Sequence, residues 1–257
     1  MGILRLSYFL LLLLLLIACS KKDIPPDSEN KNCLISEISE LQSNINENHK
    51  FYFEGNQLVK MEVHLETSYL KFLYYRFFYR YDEIYKITEY VDRSLSQNTD
   101  MPDSIETMVA YDKIADTLVY ESTEYLYGNI NRRNATQKFV INKDRIIREA
   151  GSVFAYYTLD DRGNILFVSS TFNPSEDPYG YSFKFDNHPS PFKNFPVQFK
   201  LVFIDLIMNW GWTNNITEFQ YKFKFDPTVS GMNVWQYNSF GFPKKSDYWE
   251  FSYANCK

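Results

Sequence analysis

The sequence is poor in the residues that most catalytic and metal centres use. It has three histidines, at positions 49, 64 and 188, and three cysteines, at positions 19, 33 and 256. The histidines lack the spacing of metal ligands. The chain also has no Gly-x-Ser-x-Gly turn, His-Glu-x-x-His helix, glycine-rich phosphate loop or EF-hand loop. The sequence therefore predicts no catalytic residue, no metal ligand and no cofactor, and it favours a non-catalytic protein.

Positive charge is also scarce. The chain has 27 Lys and Arg against 32 Asp and Glu, which gives a formal net charge of −5. Proteins that bind a phosphate backbone usually carry a basic patch or stripe, and the overall balance predicts no such surface. We therefore expect no nucleic-acid partner.

An apolar run lies near the N-terminus. Arg5 precedes a leucine-rich stretch that ends in Leu16-Ile17-Ala18-Cys19. One positive residue, about a dozen apolar residues and a small residue at the cleavage point are typical of a secretory signal peptide. The run is shorter than the roughly 20 residues that a membrane-spanning helix needs. A retained transmembrane helix is the alternative interpretation.

Residues 16–19 resemble the lipobox of bacterial lipoproteins. The resemblance implies that residues 1–18 are removed as a signal peptide and that lipid, such as palmitate, is attached to the Cys19 thiol. It predicts a lipid-anchored protein of the outer membrane that faces the periplasm or the cell exterior. The membrane is then its first partner, through the N-terminal lipid.

The segment after the lipidated cysteine is polar. Residues 20–32 include Pro25-Pro26 and show no apolar period, so they cannot form a core. We predict a disordered tether over residues 19–32. The rest of the chain, residues 33–257, is long enough to bury a substantial core, and we predict a single β-rich domain there.

Two cysteines remain once Cys19 carries lipid. Cys33 lies near the start of the mature chain and Cys256 lies one residue from its end. In an oxidising envelope compartment such a pair is more often a disulfide than a redox or metal site. We predict a Cys33–Cys256 disulfide, with two separate buried thiols as the alternative.

Aromatic residues dominate the predicted domain. The chain has 21 Tyr and 22 Phe, and aromatics make up 18% of it, a composition that favours strands over helices. A loose repeat of aromatic, any residue, aromatic and then Asp or Asn recurs at positions 79–82, 157–160, 181–186, 221–226 and 237–243. Asp and Asn start turns readily, so the repeat predicts successive hairpins. The expected fold is all-β and mainly antiparallel, a meander that forms one large twisted sheet.

At these residues the sequence resembles a family of uncharacterised Bacteroidetes lipoproteins, and more distantly the tyrosine-aspartate repeats of bacterial Rhs proteins. The most specific marks are residues 181–192, which contain Phe185-Asp186-Asn187-His188-Pro189-Ser190-Pro191-Phe192, then Asn214-Asn215-Ile216, and the terminal Gly241-Phe242-Pro243. Ser190 departs from the usual Asn. The resemblance implies an exported β-rich domain and carries no assigned activity.

Two stretches depart from the strand pattern. Six apolar residues have helical spacing from position 199 onward, with Pro196 before them and Gly211 after them: Phe199, Val202, Phe203, Leu206, Ile207 and Trp210. We predict one short helix near residues 197–210, with a buried strand as the alternative. Residues 33–45 fit a helix or a first strand equally well.

One candidate binding surface follows the predicted helix. Trp212, Asn214 and Asn215 lie in a loop where indole rings and carboxamides crowd together, a composition that suits stacking on a sugar and hydrogen bonding to its hydroxyls. We therefore predict a glycan, or else an envelope protein, as a binding partner. The alternative is that Trp210 belongs to the core and the asparagines only cap a turn.

Two chemical alternatives stay open from the sequence alone. A secreted glycosidase would need two carboxylates whose separation is set only in the folded chain, so the 32 acidic residues do not identify it. Asp160-Asp161 with Asn164 offers oxygen ligands for calcium, but the same residues read first as a hairpin turn. We assign no metal there.

Overall fold

The structure is a computed structural model, and it describes residues 33–41, 47–65, 72–91, 104–126, 129–133, 136–170, 179–222, 227–254 and 256. The chain divides into two units, Met1–Lys31 and Asn32–Lys257, and every described residue belongs to the second. The predicted signal peptide, Cys19 and the tether all lie outside the described residues.

The described chain is mainly strand, as the aromatic composition predicts. The first nine strands are β1 (Leu34–Glu40), β2 (Glu47–Glu54), β3 (Gln57–Leu65), β4 (Phe72–Arg80), β5 (Glu83–Val91), β6 (Ser104–Asp112), β7 (Thr117–Leu126), β8 (Asn129–Arg133) and β9 (Gln137–Asn142). The next nine are β10 (Arg145–Ala150), β11 (Val153–Leu159), β12 (Ile165–Ser169), β13 (Gly180–Pro189), β14 (Asn214–Lys222), β15 (Val229–Met232), β16 (Gln236–Tyr237), β17 (Pro243–Lys245) and β18 (Trp249–Ala254).

All strands belong to one antiparallel sheet of 18 strands. From β1 each strand pairs with the next along the chain as far as β7, and from β9 onward the same holds as far as β15. β7 pairs with both β8 and β9. The C-terminal β18 returns to β1. This confirms the predicted all-β meander.

Short turns explain this topology. Gly55 has a φ of 61°, and Tyr81 and Asp82 have φ values of 50° and 65°, the left-handed conformation that tight hairpins need. At the β6–β7 turn the Asp112 carboxylate accepts the N–H groups of the residues two and three positions later. One predicted turn is wrong: Asp186 lies inside β13, and that strand continues to Pro189.

The pairing of β1 with β18 settles two questions that the sequence left open. Residues 34–40 form a strand rather than a helix. Because Leu34 lies opposite Ala254, the two ends of the domain are side by side. Cys33 and Cys256 have Cα atoms 4.3 Å apart and form a disulfide.

The core lies on one face of the sheet, which we call the inner face. Successive strands each contribute a buried side chain to it, among them Ile38, Phe51, Met61, Phe77, Ile87, Val109, Leu118, Phe139, Ile146 and Tyr157. Because side chains alternate along a strand, the neighbouring residues point to the opposite, outer face. Burial of this many large apolar groups is the main favourable term in folding.

Two short helices cover the inner face. The single helix predicted near residues 197–210 is in fact α1 (Val197–Val202) followed by α2 (Ile204–Ile207), with Phe203 between them. Crowded β-branched and aromatic side chains at positions 202–204 disfavour a regular helix there. Phe199 packs against Phe77 of the sheet, with ring centroids 5.7 Å apart. Among the described residues, neither helix is long and apolar enough to cross a bilayer.

Candidate functional site

The loop after α2 holds the predicted glycan site. Trp210 is fully buried, and its ring lies 5.4 Å from that of Phe192 and 5.2 Å from that of Trp249. Gly211 follows with a φ of 116°, and a Cβ at this position would lie 1.9 Å from the Asn214 carbonyl oxygen. Only glycine fits this close approach. The chain therefore turns sharply from the helix into β14.

Trp212 is half-buried and packs against the core. The Lys200 ammonium lies 5.5 Å from the centroid of its ring and donates to the carbonyl oxygens of Lys193, at 2.9 Å, and Trp212, at 3.4 Å. Burial lowers the pKa of Lys200 to about 8, and the positive charge of Lys193 adds to the effect. The Lys200 side chain thus covers part of the Trp212 ring, and part of the Trp212 side chain stays exposed.

Asn214 is buried and its carboxamide bonds inside the protein. Its Nδ2 donates to the His188 carbonyl at 2.9 Å, and its Oδ1 accepts from Asn164 Nδ2 at 3.0 Å. Asn164 Oδ1 accepts the Asn214 N–H at 2.8 Å in return. This reciprocal pair joins the β11–β12 turn to the start of β14, which satisfies polar groups at the ends of the strands.

Asn215 is fully buried as well. Its Nδ2 lies 3.2 Å from Asp186 Oδ2 and 3.3 Å from the His188 carbonyl oxygen. The Tyr237 hydroxyl donates to the same Asp186 carboxylate. Burial, followed by this contact with Asp186, raises the pKa of Tyr237. Of the three predicted binding residues, only Trp212 therefore keeps surface that a ligand could reach.

These contacts bring together three segments that are distant in sequence: the Phe185–Phe192 stretch, the Asn214-Asn215 pair and the terminal hairpin. Sequence reasoning singled out all three segments but did not predict that they meet. Hydrogen bonds across 26 to 51 residues of sequence hold them. Most of their polar groups bond to each other, which makes this cluster a structural junction. Two buried atoms in it, Asn215 Oδ1 and His188 Nδ1, have no hydrogen-bond partner among the described residues.

The Asp160 turn is a hairpin turn, the first of its two interpretations. Asp160 Oδ1 accepts the N–H groups of Arg162 at 2.9 Å and Asn164 at 2.8 Å. Desolvation opposes ionisation here, but hydrogen bonds from Asn164 and Arg162 lower the pKa of Asp160 below its ordinary value. Within the described ranges, no cluster of three His, Cys, Asp or Glu side chains could hold a metal ion.

One acid on the inner face was missed by sequence reasoning. Glu89 on β5 lies opposite Tyr75 on β4 and forms a hydrogen bond with its hydroxyl. Desolvation raises the pKa of Glu89, as a general acid requires. Glycoside hydrolysis needs a second carboxylate about 5 to 10 Å away. In the described part of the chain, no other carboxylate contributes to the pKa of Glu89.

The outer side of β2–β5 carries aromatic and cationic side chains in alternation. We call this surface the outer aromatic face, and it consists of Tyr52, Lys60, Tyr74, Arg76, Phe78, Arg80, Tyr85, Lys86 and Tyr90. Tyr74 and Tyr90 are stacked with ring centroids 4.6 Å apart. The Arg76 guanidinium lies 6.0 Å from the centroid of the first ring and 5.9 Å from that of the second. Both guanidinium-to-ring distances are within the range of a cation–π contact.

The other cations of the outer aromatic face repeat this arrangement. Lys60 Nζ lies 4.9 Å from the ring centroid of Tyr52, and Lys86 Nζ lies 5.2 Å from that of Phe78. The sequence contained a signal for this surface, because Arg76 and Arg80 alternate with aromatic residues along β4. Net charge concealed it, since a sum over the whole chain does not reveal a local excess of cations.

No family model and no curated protein matches this chain. Among solved structures, the chain is similar to a porin-like protein from Bacteroides uniformis ATCC 8492. The TM-score is 0.37 and the sequence identity 11%, over 85% of this chain and 96% of that one. A likeness at this level supports no conclusion about function.

Proposed function

We propose that this chain is a lipid-anchored envelope protein that binds a partner through its sheet and catalyses no reaction. The resemblance of residues 16–19 to a lipobox supports the anchor at Cys19 and a place at the outer membrane, facing the periplasm or the cell exterior. A glycan or an envelope protein is the partner that this location favours.

The observation that carries the binding proposal is the outer aromatic face, on which rings and cations alternate. Binding surfaces are enriched in Tyr and Arg. Here tyrosines lie on β2, β4 and β5, and two arginines lie on β4. A hydrolase would instead need acids that converge in a cleft. Glu89, with its raised pKa, is the observation that favours the alternative of a secreted glycosidase, which would also need a second carboxylate about 5 to 10 Å away.

The anchor is tested by metabolic labelling with a fatty acid. The Cys19→Ala variant should take up no label, because no other cysteine adjoins the apolar run. A Cys33→Ala variant is the matched control, and it should be labelled like the unaltered chain. A labelled Cys19→Ala variant would contradict the anchor.

Binding is tested by passing the full chain, purified in detergent, over immobilised glycans and envelope components while soluble sugar products are monitored. We expect retention on at least one component without release of product. Steady release of sugar that stops in a Glu89→Gln variant would overturn the non-catalytic proposal. Failure to bind any component would overturn the binding role.

A further inference from the structure

The outer side of β2–β5 carries several cations with an acid among them. The cations are Lys50, Lys60, Arg76, Arg80 and Lys86, and Glu62 lies opposite Lys50 and Tyr74. Two of them are neutralised, because Lys60 pairs with Glu62, and Lys86 Nζ lies 2.6 Å from Glu106 Oε1. Both ion pairs are partly buried.

The two arginines differ from Lys60 and Lys86. Neither Arg76 nor Arg80 has a carboxylate within ion-pair distance in the part of the chain that the structure describes, and both side chains are exposed. Both guanidinium groups lie over aromatic rings, that of Arg76 over Tyr74 and Tyr90 and that of Arg80 over Tyr85. A guanidinium held over a ring still presents its N–H donors at the ring edge, where they suit a planar anion such as a carboxylate.

The centre of the face also has an unsatisfied hydroxyl. Thr88 lies directly between Arg76 on β4 and Glu106 on β6, its side chain is buried, and its Oγ1 has no hydrogen-bond partner among the described residues. A buried hydroxyl without a partner costs free energy. An oxygen atom of a ligand that entered beside Arg76 would satisfy it.

The shape of the face favours an extended ligand. Strands β2 to β6 are adjacent and in register, so Tyr52, Lys60, Arg76, Thr88 and Glu106 form one row across the sheet. At about 4.8 Å between strands this row is roughly 19 Å long. A flat row of rings and hydrogen-bonding groups suits a polymer that lies along it better than a small molecule that needs a closed pocket.

We infer that the outer aromatic face binds an acidic polysaccharide, whose carboxylates are held by Arg76 and Arg80 and whose sugar rings pack against the tyrosines. This inference rests on the proposed binding function and names its ligand class. A phosphate polymer fits less well, because nucleic-acid sites neutralise many phosphates with a dense basic surface. Among the described residues, only three cations on this side of β2–β5 form no ion pair, Lys50, Arg76 and Arg80.

The test compares three polymers on the full chain purified in detergent, with affinities measured by isothermal titration calorimetry. The probes are polygalacturonate as the acidic polysaccharide, dextran as the uncharged one and a single-stranded DNA oligonucleotide as the phosphate polymer. We expect polygalacturonate to bind most tightly, with an affinity that falls as salt is added because the contact is between charges. Equal binding of dextran, or tighter binding of DNA, would overturn the inference.

Variants then locate the site. Arg76→Gln should weaken polygalacturonate binding about tenfold or more, the typical effect of losing a charge-assisted hydrogen bond. Arg76→Lys keeps the positive charge but loses the planar set of N–H donors. Its affinity for polygalacturonate should lie between those of the unaltered chain and Arg76→Gln. Lys143→Gln removes one exposed positive charge in the β9–β10 turn and should leave binding unchanged. An equal loss of polygalacturonate affinity in Arg76→Gln and Lys143→Gln would contradict the placement of the site on the outer aromatic face.

A second pair of variants tests whether the aromatic rings contribute to polygalacturonate binding. Tyr90→Leu should weaken binding of polygalacturonate, whereas Phe154→Leu, at an exposed ring on β11, should not. If dextran or an envelope protein binds while polygalacturonate does not, the acidic ligand is wrong and the binding function stands. If nothing binds, the proposed function itself fails.

Discussion

Strand β4 has aromatic residues on both of its faces, and the two sets have opposite surroundings. On the inner face the Phe77 ring lies 5.7 Å from Phe199 and 6.0 Å from Phe203 of the helix segment. On the outer face the Phe78 ring is covered by the Lys86 ammonium at 5.2 Å. The same residue type, one position apart, thus packs against rings on one side and against a cation on the other.

This difference shows what aromatic content means in this fold. Inner rings bury surface in a closed core, and that burial stabilises the protein. Outer rings contact charged groups such as Lys86, whose side chain is 25% exposed. We expect these rings to contribute less to folding than the inner rings and to be available to a partner. The division between the two faces, rather than the number of rings, separates stability from binding.

The largest difference in stability should appear when each of the two phenylalanines of β4 is replaced separately by alanine. Phe77→Ala should lower the free energy of unfolding by about 3 to 5 kcal/mol, because it leaves a cavity beneath the helices. Phe78→Ala should cost about 1 kcal/mol or less, since its ring is only partly buried. Urea titration of both variants measures the contrast. Similar losses in the two would remove the distinction between the faces.

The two tryptophans after α2 sharpen the same contrast within one loop. Trp210→Ala should cost about 3 to 5 kcal/mol because the indole is fully buried among rings. Trp212→Ala should cost about 1 to 2 kcal/mol, since that side chain is only partly buried and the Lys200 contact is lost with it. Thermal unfolding would test this, and an equal cost would place Trp212 in the core.

The buried Lys200 should make the stability of the protein depend on pH. Burial lowers the pKa of Lys200 in the folded protein to about 8, whereas an unfolded lysine titrates near 10.4. Between these values the unfolded chain binds more protons than the folded one, so stability should rise with pH from about 8 to 9.5. Urea unfolding across that window measures the rise. Lys200→Met should abolish it and Lys143→Met should retain it, and a persistent rise in Lys200→Met would contradict this assignment.

Local pattern was enough to predict the meander and the Asp160 turn, because each depends on residues that are close in sequence. The pairing of Cys33 with Cys256 followed from their number and position. Other features depend on distant partners. Asn214 is buried because Asn164 and His188 meet it from 50 and 26 residues away, and nothing beside Asn214 in the sequence shows this.

The outer aromatic face was missed for a different physical reason. Strand faces are normally told apart by alternation of polar with apolar residues. In β4 both faces carry large aromatic residues, as in Tyr74-Tyr75 and Phe77-Phe78, so the alternation has little contrast. Only the two arginines, spaced four residues apart, mark which side is exposed.

The central claim is that the outer aromatic face serves binding and not folding, and Tyr90→Leu tests it most directly when both properties are measured on one sample. The variant should keep the free energy of unfolding within about 0.5 kcal/mol of the unaltered chain, as surface substitutions usually do, while its affinity for polygalacturonate falls. A loss of several kcal/mol with unchanged affinity would contradict the claim and return this face to a structural role.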